Sequence, residues 1–253
     1  MTTEDGSFVW YELMTGDPAA AEDFYAKVVG WKMVDSSITG VRYTLAQVGD
    51  RPVGGLMGFP PGVPDPKPAW LGYILVDDVD AMTERVKQAG GAMYRAPDSI
   101  PTIGRFSVVA DPQGAVFMLF RGEGTPSPEL APETPGRTAW HELHTRDWEK
   151  AFAFYEGLFG WKKADAMDMG PMGTYQIFAI GDLSVGAMFN NPEAPAPFWL
   201  YYFTVENIDA ALERATSAGA KLINGPMEVP GGMWIINAID PQGAIFALVG
   251  PRS

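Results

Sequence analysis

The segment FVWYELMTGDPAAAEDFYAKVVGW (Phe8–Trp31) returns as TAWHELHTRDWEKAFAFYEGLFGW (Thr138–Trp161), holding W-x-E-L, an aspartate, F-Y and a closing G-W while other positions drift. Two more segments repeat at nearly the same spacing. AWLGYILVDDVDAMTERVKQAGG (Ala69–Gly91) answers FWLYYFTVENIDAALERATSAGA (Phe198–Ala220), and VVADPQGAVFMLF (Val108–Phe120) answers NAIDPQGAIFALV (Asn237–Val249). A duplicated chain must solve its fold in half its length, so this repeat limits the architecture more than any other feature. Between the copies, RGEGTPSPELAPETPGR (Arg121–Arg137) is rich in proline and glycine and has no apolar periodicity, as an exposed linker does. The boundaries that follow are a first module 1–122, a linker 123–137 and a second module 138–253.

Within each half a smaller pattern repeats. Phe8–Thr15 alternates as a strand does, Asp17 stands at an N-cap position, and Pro18 occupies the first helical place. Ala19–Val29 carries apolar residues at helical spacing, and Gly30 closes the helix. Strands follow at Trp31–Val34, Tyr43–Val48 and Val53–Phe59. The order restarts at Ala69 with a strand, a helix near Val79–Ala89, and strands near Ala92–Arg95, Phe106–Ala110 and Ala115–Phe120, the last two joined by a D-P-Q-G turn. The chain is therefore α+β, with four βαβββ units.

Bulk composition narrows the partners. A net charge of −13, spread along the chain, repels phosphate backbones, so no nucleic acid is expected. No Lys/Arg run points to an anionic membrane surface, and no apolar run is long enough to span one. Cysteine is absent, which removes disulfides, thiolate nucleophiles and Cys-ligated zinc. The acidic start MTTEDGSF has no secretory pattern, so a cytoplasmic location is expected.

The element order, with F-Y-x4-G-W after the first helix and D-P-Q-G before the last strand, resembles the vicinal oxygen chelate superfamily, the group of glyoxalase I, bleomycin-resistance proteins and extradiol dioxygenases. The resemblance covers nearly the whole chain and is strongest to tandem, two-module glyoxalase-like proteins. It implies four βαβββ units forming two cupped, mixed β-sheets, with a ligand or metal inside each cup. It also implies metal ligands on the first strand of a unit, usually His, and on the last, usually Glu. Here those positions fall on Trp10, Leu71, Trp140 and Leu200, and on Gly54 or Gly55, Met118, Gly186 or Ala187, and Ala247. None of these side chains binds a divalent ion, so neither metal nor other cofactor is expected. The two histidines, His141 and His144, stand three apart on one strand and so face opposite ways.

If position 10 faces the cup, then Trp10, Glu12 and Met14 share that face, as do Trp140, Glu142 and His144 in the second module. Where relatives hold a metal ligand, this chain offers an indole, and one step along the strand a carboxylate. A carboxylate among aromatic residues must be paired or hydrogen-bonded. Glu12 and Glu142 either serve a ligand or form structural pairs with Arg105, Arg42 or Arg146. Phe106, Met118 and Trp234 are further candidates for the ligand wall, with Met57 and Met188 adding adaptable surface. Trp234 follows the glycine-rich EVPGGM (Glu228–Met233), whose counterpart is SIPTIG (Ser99–Gly104); both could cover a pocket mouth. Trp70 and Trp199 fall on the opposite face, and the F-Y-x4-G-W and D-P-Q-G motifs read as structural.

Three readings follow. The first is a metal-independent binder of a planar, apolar or cationic small molecule held by aromatic faces and a glutamate. The second is a glyoxalase-like lyase or isomerase with Glu142, His144 and Glu12 as acid–base groups. The third is a scaffold or regulatory protein. Four units in one chain can build internally what two-unit relatives build as homodimers, so a monomer fits. Whether each cup pairs units within a half or across halves stays open at this level.

Overall fold

Four helices begin in the same way. Asp17, Asp78, Asp147 and Asn207 each accept a hydrogen bond from the backbone N–H three residues on, satisfying one of the donors every helix start leaves unpaired. In the computed structural model, which describes residues 5–36, 42–124 and 130–252, these caps open α1 (Pro18–Val28), α2 (Val79–Gln88), α3 (Trp148–Phe159) and α4 (Ile208–Ser217). Residues 125–129 of the expected linker and the first four of the chain lie outside the described residues. Gly160 ends α3 in the left-handed region at φ 69°, where a Cβ would strain the backbone.

Each helix sits inside a βαβββ unit. The first has β1 (Phe8–Thr15) before α1 and then β2 (Lys32–Asp35), β3 (Tyr43–Val48) and β4 (Arg51–Gly58). The second has β5 (Ala69–Leu75), then β6 (Ala92–Ile100), β7 (Gly104–Ala110) and β8 (Val116–Gly122). The third has β9 (Thr138–Thr145), then β10 (Lys162–Asp168), β11 (Thr174–Ile180) and β12 (Leu183–Asn190). The fourth has β13 (Phe198–Thr204), then β14 (Lys221–Val229), β15 (Met233–Ile239) and β16 (Ile245–Gly250). The strands make two eight-stranded mixed sheets, ordered β2-β3-β4-β1-β5-β8-β7-β6 and β10-β11-β12-β9-β13-β16-β15-β14. β6 runs well past its expected end at Arg95, because its register against β7 shifts twice and the bulges break the alternation a sequence reading follows.

The chain divides into two compact units, each built from one βαβββ of each half. One spans Met1–Val9, Leu71–Glu129 and His141–Trp199; the other spans Trp10–Trp70, Leu130–Trp140 and Leu200–Ser253. In the first, the Trp199 indole donates to the Tyr155 hydroxyl at 3.0 Å, which donates to Asp111 Oδ2 at 3.3 Å. Asp111 Oδ1 accepts from the N–H groups of Gln113 and Ala115. In the second, Trp70 donates to Tyr25 at 2.8 Å and Tyr25 to Asp240 Oδ2 at 3.0 Å. Asp240 Oδ1 takes three backbone N–H groups, those of Gln242, Gly243 and Ala244. The repeated F-Y and D-P-Q-G motifs thus meet as a buried Trp–Tyr–Asp chain, tyrosine from one half and aspartate from the other. The closing tryptophans are anchored too, Trp31 donating to Gly136 O and Trp161 to Gly6 O. Burial pushes both aspartates above the usual carboxylate range, with the backbone N–H groups pulling the other way.

Candidate functional site

Strand alternation places Glu12 and Glu142 on the sheet faces turned away from the helices. Leu13 and Leu143, between them and their neighbours, are fully buried on the other face. Glu12 is only 4% exposed and Glu142 only 7%. The arginines that could have paired with them are engaged elsewhere: Arg42 with Glu22, Arg105 with Asp80, and Arg146 with the carbonyls of Asn191 and Ala194.

A tyrosine meets each glutamate. In the unit containing β1, the Tyr43 hydroxyl hydrogen-bonds Glu12 and accepts the Trp10 indole N–H at 3.0 Å. Burial, reinforced by the neighbouring Glu12 charge, holds the Tyr43 phenol far above its ordinary range, so it stays a donor. In the unit containing most of β9, Tyr175 donates to Glu142 Oε2 at 2.7 Å. Tyr43 and Tyr175 head the matching stretches YTLAQVGD and YQIFAIGD. Sequence reasoning passed over both, although this repeated Tyr at a fixed distance from G-D was visible.

The two copies then diverge. His144 Nε2 lies 2.8 Å from Glu142 Oε1, and its Nδ1 lies 2.9 Å from Asn191 Nδ2. The imidazole stacks on Phe198 at 4.4 Å and meets the edge of Phe189 at 4.6 Å. At the matching places the first half has Met14, Phe59, Ala69 and Met57. Met57 sits beside both Met14 and Tyr43 in the sheet register, so that wall is apolar around its single carboxylate. His141 faces the other way, stacking on Phe8 at 4.2 Å with Nδ1 2.7 Å from Val185 O.

Gly55 pairs with Glu12 in the register and lies at one of the aligned metal-ligand positions. A Cβ there would overlap the Tyr43 hydroxyl and the ring carbons Cζ and Cε1. Gly55→Ala is expected to displace that buried phenol and destabilise the protein by about 1–3 kcal/mol. A denaturant titration checks this, and because the ring carbons Cζ and Cε1 crowd that Cβ as well as the hydroxyl, the same change made in Tyr43→Phe should still be destabilising.

The remaining expected residues are placed as follows. Phe106 and Met118 are buried and share a face, away from α2 and α3: their neighbours Ser107 and Phe117 point to Thr83 of α2 and to Phe154 and Tyr155 of α3. They stand on a different sheet from Glu142 and His144, so the structure does not gather these four residues. Trp140 is half-buried and, by alternation, shares the face of Glu142. Trp234 does not join the wall. It pairs with Gly250, on the helix-facing side that Phe246 also occupies, and Arg252 covers its ring at 4.4 Å. Phe106 matches Ile235 in the repeat, one residue along, and that single step reverses the face. Met188 likewise pairs with Leu143 on the helix-facing side. The two supposed covering loops are hairpin turns joining β6 to β7 and β14 to β15.

At the aligned ligand positions the side chains are not those that hold a divalent ion. Among the described residues no three His, Cys, Asp or Glu come together to hold an ion. The aligned ligand positions carry Trp, Leu, Gly, Ala and Met, and the one His–Glu pair is closed by Tyr175 and Asn191.

The sequence profile of the Glyoxalase/Bleomycin resistance protein/Dioxygenase superfamily matches residues 7–119 and again 137–248. The chain belongs to this superfamily. As a tandem glyoxalase-like member, it is 34% identical over 246 residues to a protein named putative glyoxylase CFP32 from Mycobacterium bovis, covering 96% of this chain and 94% of the relative. It is 31% identical over 262 residues to the anthracycline biosynthesis protein DnrV of Streptomyces peucetius, covering 98% and 94%. Among solved structures, the Mn(II)-bound glyoxalase of Novosphingobium aromaticivorans superposes with a TM-score of 0.68 at 17% identity, over 99% of this chain and 83% of that one, a likeness of fold. Glyoxalase-superfamily membership supports small-molecule binding or catalysis. No helix among the described residues is long and apolar enough to cross a membrane.

Proposed function

We propose that this glyoxalase-superfamily protein binds a planar, apolar or cationic small molecule without a metal ion, against the aromatic walls around Glu142 and Glu12. One observation carries the reading: beside the positions where chelating relatives present ligands, each half buries a carboxylate held by a tyrosine hydroxyl rather than by a cation-binding set. Rings flank each glutamate, Trp10 and Tyr43 in one unit and Tyr175, Phe189 and Phe198 in the other, which favours flat ligands by stacking and gives a cation a nearby counter-charge. The relative named for anthracycline biosynthesis supports a fused-ring class.

A second reading rests on the 2.8 Å contact between His144 and Glu142, a pairing suited to moving a proton next to a carbonyl. Against it, Glu142 accepts on both oxygens and His144 is engaged at both nitrogens, so proton transfer would first break an internal bond.

Tryptophan fluorescence titrated with the planar cation proflavine tests the first reading. Saturable quenching is expected, and none at high micromolar probe would overturn it. Turnover of methylglyoxal with a thiol, assayed with and without EDTA, separates the readings. The binder account expects no turnover; chelator-resistant turnover would establish the acid–base alternative.

A further inference from the structure

We propose that Asn191 is a positioning residue that fixes His144 as the neutral imidazole protonated on Nε2, leaving Glu142 to carry the charge of the group. The chain of donors is closed from outside inward. Ala194 N–H donates to Asn191 Oδ1 at 3.2 Å, so the amide nitrogen is the atom that faces His144 Nδ1 at 2.9 Å. An amide nitrogen only donates, so Nδ1 must present its lone pair. The ring proton then sits on Nε2, aimed at Glu142 Oε1, while Tyr175 donates to the other oxygen. Turning the amide over would set two N–H groups against each other at Ala194, and protonating Nδ1 would do the same at Asn191.

The segment carrying the amide is itself pinned. Asn191 N–H donates to Thr145 O at 2.8 Å, and Arg146 donates to Asn191 O at 2.7 Å and also reaches Ala194 O. Gln113 Oε1 in turn accepts the backbone N–H groups of Arg146 and Asp147. The first half has Met14 and Phe59 at the matching places, so the device belongs to the second half alone. Resting on the reading of this wall as a binding surface, the consequence is a ligand class: the wall presents a carboxylate, not an imidazolium, and so favours neutral or cationic molecules over anions.

The chain has two histidines, so the ring nitrogens of the full-length, ¹⁵N-labelled protein give two resolvable patterns. His141, whose Nδ1 faces a backbone carbonyl at 2.7 Å, carries a proton on Nδ1 and serves as the reference. Near neutral pH, His144 is expected to show a protonated Nε2 and a bare Nδ1. Asn191→Asp puts an acceptor at Nδ1 and is expected to convert that ring to the doubly protonated form, with the His141 pattern unchanged. A wild-type His144 with its proton on Nδ1 would overturn the assignment, as would an Asn191→Asp spectrum identical to wild type. If the variant does not fold, the wild-type spectrum decides alone. The measurement needs no ligand, so its failure is separate from failure of the binding reading.

Discussion

Asp240→Ala should lower stability by about 3–5 kcal/mol, the loss seen when one partner of a buried, hydrogen-bonded charged group is removed. The truncation strands the backbone N–H groups of Gln242 and Ala244 and the Tyr25 hydroxyl, while Gly243 N–H keeps the Asp240 backbone carbonyl, and Tyr25 in turn holds the Trp70 indole. Each buried donor left without an acceptor costs about 1–3 kcal/mol, and relaxation recovers part of the sum. The thermal unfolding midpoint should therefore drop by about 6–20 °C for a chain of this size. A change under about 1 kcal/mol in urea would show that the chain is ornamental. The pH dependence has a defined sign. Because burial raises the Asp240 carboxyl in the folded protein, its linkage contribution is full below the ordinary carboxylate value and is lost as pH rises through the raised one. Asp240→Asn should flatten the stability curve over that acidic window.

Glu142→Gln is the second large effect, and it falls on function. Both carboxylate oxygens accept, from the Tyr175 hydroxyl and the His144 Nε2–H. Glutamine supplies one oxygen and one NH2: with the NH2 toward His144 a donor meets a donor, and with the oxygen toward His144 the Tyr175 hydroxyl must turn from donor to acceptor. His144 cannot escape by moving its proton to Nδ1, because the Asn191 amide blocks that nitrogen. The wall should rearrange, and proflavine affinity is expected to fall about 100-fold, or about 2.7 kcal/mol. An unaltered affinity in a folded variant would remove Glu142 from the site.

The repeat made most of the fold legible. Asp17 and Gly30 marked helix ends because capping chemistry is local, and the duplicated F-Y and D-P-Q-G motifs marked conserved geometry within the chain. Their purpose was not readable, since Tyr25 and Asp240 meet only through packing between halves. The candidate site's geometry was half legible. Alternation put Glu12 with Trp10 and Glu142 with His144 on shared faces, a rule that needs only one regular strand. Tyr175 reaches Glu142 from the third strand of that βαβββ unit and Asn191 reaches His144 from just past the end of the fourth, a distance no periodicity reports. Trp234 was misplaced because matching strands by position, without a register, leaves the face undetermined by one residue.

The central claim is binding without a metal, at walls whose carboxylates are satisfied by protein donors. Calorimetric titration of the EDTA-dialysed full chain with proflavine tests it most directly, repeated after adding Mn²⁺. Saturable binding unchanged within about twofold by the ion is the predicted result. Binding that appears only when Mn²⁺ is restored would contradict it.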